Sequence, residues 1–227
     1  MTNGIDAAAT DPQAKVRLHR EFSVELDTGT VTNQKQSGRC WEFSLLNTLR
    51  HQFEQLHHVK NFELSQNYLF FWDRVERANM FYQQIIATAD KGPNDREVAF
   101  YLKMAGGDGG QWPMAAALVE KYGVIPAYAM PETYNTEHTA AFASTLALKM
   151  RRDAVVLRRL VRDGASVDQL AEKRRQMVGE VYRMAAYSFG EPPATFDLEY
   201  RDSDKKWHRQ ANLTPTSFFK QAFNVDL

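Results

Sequence analysis

Apolar residues recur at helical spacing along most of the chain after Gly38, and this periodicity constrains the fold more than any other feature. Trp41, Leu45 and Leu49 begin the first such run, which continues to about His58. Spacings of three and four residues place these side chains on one face of an α-helix, and that face must pack against other elements. The pattern therefore predicts a largely helical chain in which each helix buries one face.

Local start and stop signals predict further helices. Ser65 is a suitable N-cap, Pro113 suits the first turn of a helix, and Gly123 suits a helix end. The helices expected on these grounds cover about residues 66–86, 95–104, 113–122 and 146–161, followed by one that ends before Gly190 and one that begins at Thr214-Pro215.

Two stretches alternate apolar and polar residues, as half-buried strands do. The clearer one starts at Phe196 and is expected to turn at residues 202–204 and to pair with a strand around Trp207. The other covers residues 22–29 and predicts a short extended segment. Many helices with one hairpin near the C-terminus place the chain in the α+β class.

The sequence indicates a short N-terminal arm and one larger unit. Residues 1–21 show no sustained periodicity and are predicted to form a mobile or extended arm, to which we assign no function. No linker rich in Gly, Ser or Pro divides residues 22–227. These residues are therefore expected to fold together.

The charge balance argues against partners that need a strong overall field. Lysine and arginine number 28, and aspartate and glutamate also number 28. A nucleic acid or an anionic membrane would have to be bound by a local patch, and neither partner is expected. The one basic face, opposite the apolar side of the 146–161 helix, is expected to be solvated or to contact another subunit, with nucleic-acid binding as the weaker alternative. Its arginines are Arg151, Arg152, Arg158, Arg159 and Arg162.

Cysteine usage and hydropathy favour a cytoplasmic location. The chain has one cysteine, so it forms no intrachain disulfide. No apolar run approaches the ~20 residues of a membrane span, and the N-terminus lacks the apolar core of a signal peptide. A reducing compartment is the expectation that follows.

Cys40 lies where a cysteine gains reactivity. A single cysteine is usually a small buried apolar residue, but Cys40 falls in the first turn of the predicted helix, where free backbone N–H groups favour a thiolate. Arg39 is expected to add positive charge, and Ser37 to cap the helix. The amide of Gln34 could join the Cys40 N–H as a second donor to an oxyanion. These residues predict nucleophilic catalysis on a carbonyl group.

The same segment resembles the active site of papain-like cysteine peptidases. Gln34 is followed after five residues by Cys40-Trp41, and residues 32–41 are similar to the bleomycin hydrolase and aminopeptidase C branch of that family. The resemblance covers nearly the whole chain from Phe22 onward. Further stretches similar to that branch occur in the family's order, at residues 63–66, 108–112, 120–126, 130–133 and 196–214.

The resemblance implies a papain-like cysteine peptidase fold and a role for each matching residue. Cys40 matches the nucleophile that forms an acyl-enzyme, and Gln34 matches the oxyanion donor. Trp41 matches an aromatic residue whose role is mainly packing. Gly109 and Gly110 match the glycine pair that binds substrate through its backbone, although a simple helix-to-helix turn is the alternative. A phosphate site is disfavoured because no Gly-Lys-Ser/Thr follows the glycines.

The chain departs from the family pattern in two respects. Glu42 stands where a small or apolar residue is expected. If its carboxylate approached the thiolate, it would raise the pKa of the cysteine and lower its reactivity. If it pointed to solvent, it would only complement the helix dipole. The family's catalytic histidine and its orienting asparagine lie on a β-rich part that this chain does not reach. The chain therefore corresponds to the helical half of a family member.

The six histidines do not offer an obvious replacement for that base. His51, Glu54 and His58 fall at helical spacing and could bind a metal from one face, but a solvated helix surface is the favoured interpretation. We expect no metal and no cofactor. His57 is expected to face elsewhere. His19, His138 and His208 match no base position of the family, and His208 is expected at an ordinary surface position.

The resemblance also implies substrates and assembly. Family members hydrolyse N-terminal residues from peptides and form closed hexamers, so peptide substrates and a homo-oligomer are expected. Because the histidine and asparagine are absent, the 227-residue chain by itself is expected to be inactive. The alternative is a catalytically silent fragment that acts as a binding or assembly module.

Overall fold

The computed structural model describes residues 4–19, 21–223 and 225. In the described part of the chain, ten α-helices and one two-stranded sheet follow one another, with a 3₁₀ turn at Ala127–Ala129. The helices are α1 (Ile5–Ala9), α2 (Ala14–Arg17), α3 (Cys40–His57), α4 (Gln66–Ala87), α5 (Arg96–Met104), α6 (Trp112–Tyr122), α7 (Tyr134–Glu137), α8 (Ala140–Arg162), α9 (Val167–Phe189) and α10 (Pro215–Ala222). The strands β1 (Phe196–Arg201) and β2 (Trp207–Leu213) lie between α9 and α10.

Helices α3 and α4 form the centre of the core. On α3, Leu45, Leu49 and Phe53 are almost completely buried, as the helical spacing predicts. On α4, Phe70 and Phe71 are likewise inaccessible to solvent. Helix α4 packs against α3, α5, α6, α8 and α9, so it connects the helix that begins at Cys40 to the rest of the chain.

Helices α8 and α9 pack against α4 and against each other. The apolar side of α8 is buried, and Asp153 on that side accepts a hydrogen bond from the Tyr82 hydroxyl at 2.7 Å. The basic face of α8 is only partly solvated. Arg151 donates to the carbonyl oxygen of Leu102 at 2.9 Å, and Arg158 donates to that of Thr88 at 3.0 Å. These two arginines therefore also tie α8 to its neighbours.

The hairpin confirms the α+β expectation. Strands β1 and β2 pair antiparallel, with Tyr200 opposite His208. The hairpin contacts the C-terminal end of α3, where the Ser203 N–H donates to the carbonyl oxygen of His58 at 2.7 Å and the Tyr200 hydroxyl lies 3.2 Å from Nδ1 of His57.

The N-terminal region differs from the sequence prediction. The arm contains the short helices α1 and α2 instead of a uniformly extended chain, and residues 1–3 and 20 of the arm lie outside the described residues. Residues 22–29 form no strand, because their backbone finds no partner strand in the described part of the chain. No helix described by the structure has both the length and the apolar character needed to cross a membrane.

Candidate active site

Cys40 is the first residue of α3, and its side chain is exposed. Within the described residues, no partner is found for its backbone N–H, as expected at the start of a helix. The thiol lies in an open depression between the chain segment before α3 and the first two turns of that helix. The depression is lined by Val31, Thr32, Asn33, Gln34, Cys40, Phe43, Ser44 and Asn47.

Gln34 lies in the same depression as Cys40. Its side-chain amide donates a hydrogen bond to the carbonyl oxygen of Ser37 at 2.6 Å, which fixes the direction of the amide group. An amide nitrogen carries two N–H donors, so one remains available for a ligand. The wall of the depression is held by a pair between Thr32 and Asn47, in which the Asn47 amide donates to the Thr32 hydroxyl at 2.9 Å.

Ser37 does not cap α3, contrary to the sequence prediction. Residue Arg39 occupies the N-cap position, and no side chain caps the helix. The Ser37 hydroxyl instead donates to the carbonyl oxygen of Gln34 at 2.6 Å and accepts from Nε of Arg39 at 3.0 Å. Ser37 therefore stabilises the turn before the helix, and its hydroxyl does not occupy the backbone N–H of Cys40.

The turn before Cys40 is also held by residues distant in the sequence. Gln36 pairs with the α7–α8 connection, through its N–H to Glu137 at 2.9 Å and its carbonyl oxygen to Thr139 at 3.2 Å. The Gly38 N–H donates to the Asp108 carboxylate at 2.8 Å, and the Thr139 hydroxyl donates to it at 2.5 Å. Partial burial alone would raise the pKa of Asp108, but these two hydrogen bonds outweigh it and hold the pKa below its ordinary value.

The sequence suggested that Arg39 supplies a free positive charge beside Cys40, and the structure contradicts this prediction. Its side chain is completely buried, and its guanidinium group forms a bidentate ion pair with Glu132 at 2.8 and 3.0 Å. The rings of Phe43 and Phe70 lie about 5 Å from the same group. Because Glu132 offsets its charge, Arg39 acts mainly as a link between the start of α3 and the 130–133 segment.

Residues 106–110, which we call the glycine loop, lie directly against the residue after Cys40. The indole N–H of Trp41 donates to the carbonyl oxygen of Asp108 at 3.0 Å. A Cβ atom at Gly110 would come within 2.6 Å of the Trp41 ring, so only glycine permits this approach. Gly109 is exposed, and nothing lies within 4 Å of a Cβ atom placed at this position. The loop that contains the predicted substrate-binding glycines is thus attached to the first turn of α3.

Two arginines of α4 hold the glycine loop from the protein interior. Arg74 donates to the carbonyl oxygen of Gly107 at 2.7 Å, and Arg77 donates to that of Gly109 at 2.7 Å. The carboxylate of Asp73 binds both guanidinium groups, including Nε of Arg77 at 2.8 Å. The loop carbonyls are therefore fixed by charge-assisted hydrogen bonds.

Glu42 lies in this charged layer, and both orientations considered from the sequence are wrong. Its side chain neither points to solvent nor lies in the Cys40 depression, because it is completely buried on the inner face of α3. Burial raises the pKa of its carboxyl group well above the ordinary value, and the nearby Asp73 raises it further, while Arg39, Arg74 and Arg77 lower it.

Among the described residues, no histidine lines the Cys40 depression. The Glu54 carboxylate accepts a hydrogen bond from the Phe62 N–H. Within the part of the chain that the structure describes, no group of three His, Cys, Asp or Glu side chains could hold a metal ion. His208 is more than an ordinary surface residue: its ring stacks on Tyr200 at 4.8 Å, and its Nε2 lies 2.7 Å from the Asp202 carboxylate.

The structure thus brings Cys40 and Gln34 into one depression and places Gly109 and Gly110 on the loop beside Trp41. Sequence reasoning missed the residues that hold these parts in place. They are Asp73, Arg74, Arg77, Asp108, Glu132 and Thr139. The position of Asp108 could have been noticed in the sequence, because an acidic residue between two pairs of glycines is suited to form polar contacts within a loop. The other five residues come from distant segments, and the sequence gives no sign of their contacts.

Comparison with known proteins gives consistent matches along the chain. Residues 1–227 match the model of the Peptidase C1-like family. Aminopeptidase G of Lactobacillus delbrueckii subsp. lactis is 56% identical over 99% of this chain and 51% of its own length. Aminopeptidase C of the same organism is 46% identical over 100% of this chain and 50% of its own length.

A solved structure is also similar. The crystal structure of PepW from Lactobacillus rhamnosis HN001 superposes with a TM-score of 0.92 at 50% sequence identity, covering 97% of this chain and 49% of that one. The chain therefore spans about half the length of the relatives that it matches.

Proposed function

Because the chain belongs to the Peptidase C1-like family, we propose that it is the nucleophile-bearing half of a cysteine aminopeptidase. The observation that carries this proposal is the shared depression, in which the exposed Cys40 thiol and the oriented amide of Gln34 occur together with the Cys40 backbone N–H, which has no partner in the described part of the chain. The fold is the α+β papain-like fold expected from the sequence, of which these residues form the mainly helical part.

The chemistry proposed for the site is acyl transfer. The Cys40 sulfur attacks the carbonyl carbon of the first peptide bond, and the oxygen becomes an oxyanion that the Cys40 N–H and the Gln34 amide stabilise. Departure of the amine leaves a thioester, which water hydrolyses to release the N-terminal residue. Gly109 and Gly110 are proposed to bind the substrate backbone along the loop that Trp41 supports.

This mechanism requires a proton-transfer group that the described residues do not place at Cys40. No histidine lines the depression, and an amide nitrogen leaves poorly unless it is protonated. We propose that a histidine and an asparagine outside this chain complete the site, and that the N-terminal arm (residues 1–21) precedes the peptidase unit formed by residues 22–227. Peptides as substrates, a cytoplasmic location and assembly as a homo-oligomer, a hexamer in the complete enzyme, belong to the same proposal.

The names of the relatives support the aminopeptidase activity. Aminopeptidases G, W and E are between 51% and 56% identical to this chain, and each match covers at least 95% of it. The alternative is a chain that only binds or assembles. That alternative predicts no chemistry at Cys40, whereas the aminopeptidase proposal makes every turnover depend on its sulfur.

A chimera tests the proposal. In it, this chain replaces the segment of aminopeptidase G that it matches, and hydrolysis of an aminoacyl amide is measured together with thermal unfolding. We expect turnover that Cys40→Ala abolishes without changing the melting temperature. A folded chimera without turnover, or turnover that survives Cys40→Ala, would contradict the proposal and favour the binding module.

A further inference from the structure

The carboxyl group of Glu42 is buried without a partner. Neither of its oxygens has a hydrogen bond within the described part of the chain, and Nε of Arg74 is also buried and unpaired. A charged carboxylate rarely remains in such a place without donors, because desolvating it costs several kcal/mol. The geometry therefore fits a neutral carboxylic acid packed against the charged layer behind the glycine loop.

We propose that Glu42 is a positioning residue: its neutral carboxyl group leaves the guanidinium groups of Arg74 and Arg77 free to hold the carbonyl oxygens of the glycine loop, and so keeps the loop in place. The inference rests on the proposed peptidase function, because the glycine loop borders the Cys40 site. Glu42 does not line the depression, and its carboxyl group makes no hydrogen bond to the backbone of the described glycine loop. Its effect is transmitted through the arginines.

The donors of the two arginines explain how this works. Arg74 uses its two terminal nitrogens for Gly107 and Asp73, and Arg77 uses Nη2 for Gly109 and Nε for Asp73. While Glu42 is neutral, it makes no strong demand on these donors. An ionised Glu42 would need donors of its own, and Nε of Arg74, which has no partner among the described residues, is the donor nearest to being free. A guanidinium group that turned Nε toward Glu42 would move its terminal nitrogens away from the loop carbonyl oxygen that they hold.

The charges that face Glu42 come from two elements. Helix α4 contributes Asp73, Arg74 and Arg77, and the turn before α3 contributes Arg39. Arg39 is already committed to Glu132 through a bidentate pair. The groups left to respond to a change at Glu42 are therefore the two arginines that hold the glycine loop.

Glycine-selective ¹⁵N NMR tests the inference without any turnover. The amide signals of Gly107, Gly109 and Gly110 are followed in a pH series that rises from 4.5, the ordinary glutamate value, because burial raises the pKa of Glu42 above it. We expect these three signals to shift with one common midpoint in the natural sequence and to become independent of pH in Glu42→Gln. Glu54→Gln, which removes another buried carboxyl from α3, should keep the titration of the natural sequence.

Each outcome decides the inference. Loop signals that do not titrate in the natural sequence, or that titrate equally in Glu42→Gln, would overturn it. If Glu42→Gln does not fold, Glu42→Met provides a second side chain that cannot ionise, and the titration of the natural sequence remains decisive by itself.

Kinetics of the chimera connect the inference to function. We expect KM to rise roughly two- to tenfold above the Glu42 midpoint, the effect of losing about one hydrogen bond to the loop, with kcat little changed. Glu42→Gln should keep KM constant across the same range. An inactive chimera would contradict the proposed function but leave the glycine signals readable, so the two failures are distinguishable.

Discussion

The indole N–H of Trp41 donates a hydrogen bond to the backbone carbonyl oxygen of Asp108 across 3.0 Å, and this contact joins the first turn of α3 to the glycine loop. The contact requires the glycine loop to lie close to the Trp41 ring, because a Cβ atom at Gly110 would be 2.6 Å from that ring. The relative position of the thiol and the loop is thus fixed by packing next to Cys40 and not by Cys40 itself.

Gly110→Ala should destabilise the chain by about 1–3 kcal/mol, because its Cβ would overlap the Trp41 ring. Gly109→Ala is the matched control, since nothing lies within 4 Å of a Cβ at that position, and it should change stability by less than about 0.5 kcal/mol. Urea unfolding of both variants measures the difference. Equal effects at the two positions would refute the packing argument.

Cys40 should react with iodoacetamide in the folded chain. Its side chain is exposed at the start of α3, where the positive end of the helix dipole attracts negative charge. We expect alkylation faster than that of a cysteine in an unstructured peptide at neutral pH, measured by mass spectrometry, with Cys40→Ser as the unlabelled control. A thiol that reacts only after denaturation would remove the basis of the nucleophile assignment.

Gln34→Ala should lower kcat of the active chimera by roughly 10²–10³, the usual cost of losing one oxyanion donor. The melting temperature should change little, because the amide contributes one hydrogen bond, to Ser37, in a partly exposed turn. Gln36→Ala is the control, since the exposed Gln36 pairs with α7 and α8 through its backbone. Parallel losses of kcat and melting temperature in Gln34→Ala would indicate a structural role instead.

The stability of the chain should decrease as pH rises, owing to Glu42. Its pKa is raised in the folded state, so unfolding exposes a carboxyl group that releases its proton above about pH 4.5. The decrease begins near that value, has a slope of up to about 1.4 kcal/mol per pH unit and stops above the folded-state pKa. Urea unfolding at several pH values should show this slope in the natural sequence and in Glu54→Gln, but not in Glu42→Gln.

The 227-residue chain alone should not hydrolyse an aminoacyl amide faster than its Cys40→Ala variant does. No histidine lines the Cys40 depression, so the thiol lacks a nearby group to accept its proton and to protonate the leaving amine. The measurement is release of the amine by the purified chain. Addition of the non-matching half of aminopeptidase G as a separate polypeptide should restore part of the activity if the two halves dock. Cys40-dependent turnover by the chain alone would show that one of its own histidines serves as the base.

The sequence allowed the principal helices to be predicted because their apolar spacing is regular. The start of α3 at Cys40, the cap at Ser65 and the end of α9 before Gly190 all agree with the structure. The segment at residues 22–29 was predicted less well, since alternation specifies an extended chain but cannot supply a partner strand.

Within the candidate site, the sequence placed Cys40 at the start of a helix correctly but was wrong about the Ser37 cap and about Glu42. Glu42 is three, four and seven residues before Leu45, Leu46 and Leu49, so helical spacing, which the sequence analysis did not apply to Glu42, favours the buried face of α3. The ion pair between Arg39 and Glu132 joins residues 93 positions apart, and no local pattern predicts such a contact. Only the structure therefore shows that Glu132 offsets the positive charge of Arg39.

The anchoring of the turn before Cys40 also has a consequence for the order in which the chain can fold during synthesis. Asp108, Glu132 and Thr139 hold that turn, so it cannot take its final shape until the ribosome has released residues up to Thr139. At about 5–20 residues per second, the 100 residues from Cys40 to Thr139 take roughly 5–20 s to make. During that interval the surroundings of Cys40 in the nascent chain are not yet complete, and the cysteine reaches its final environment well after it is translated.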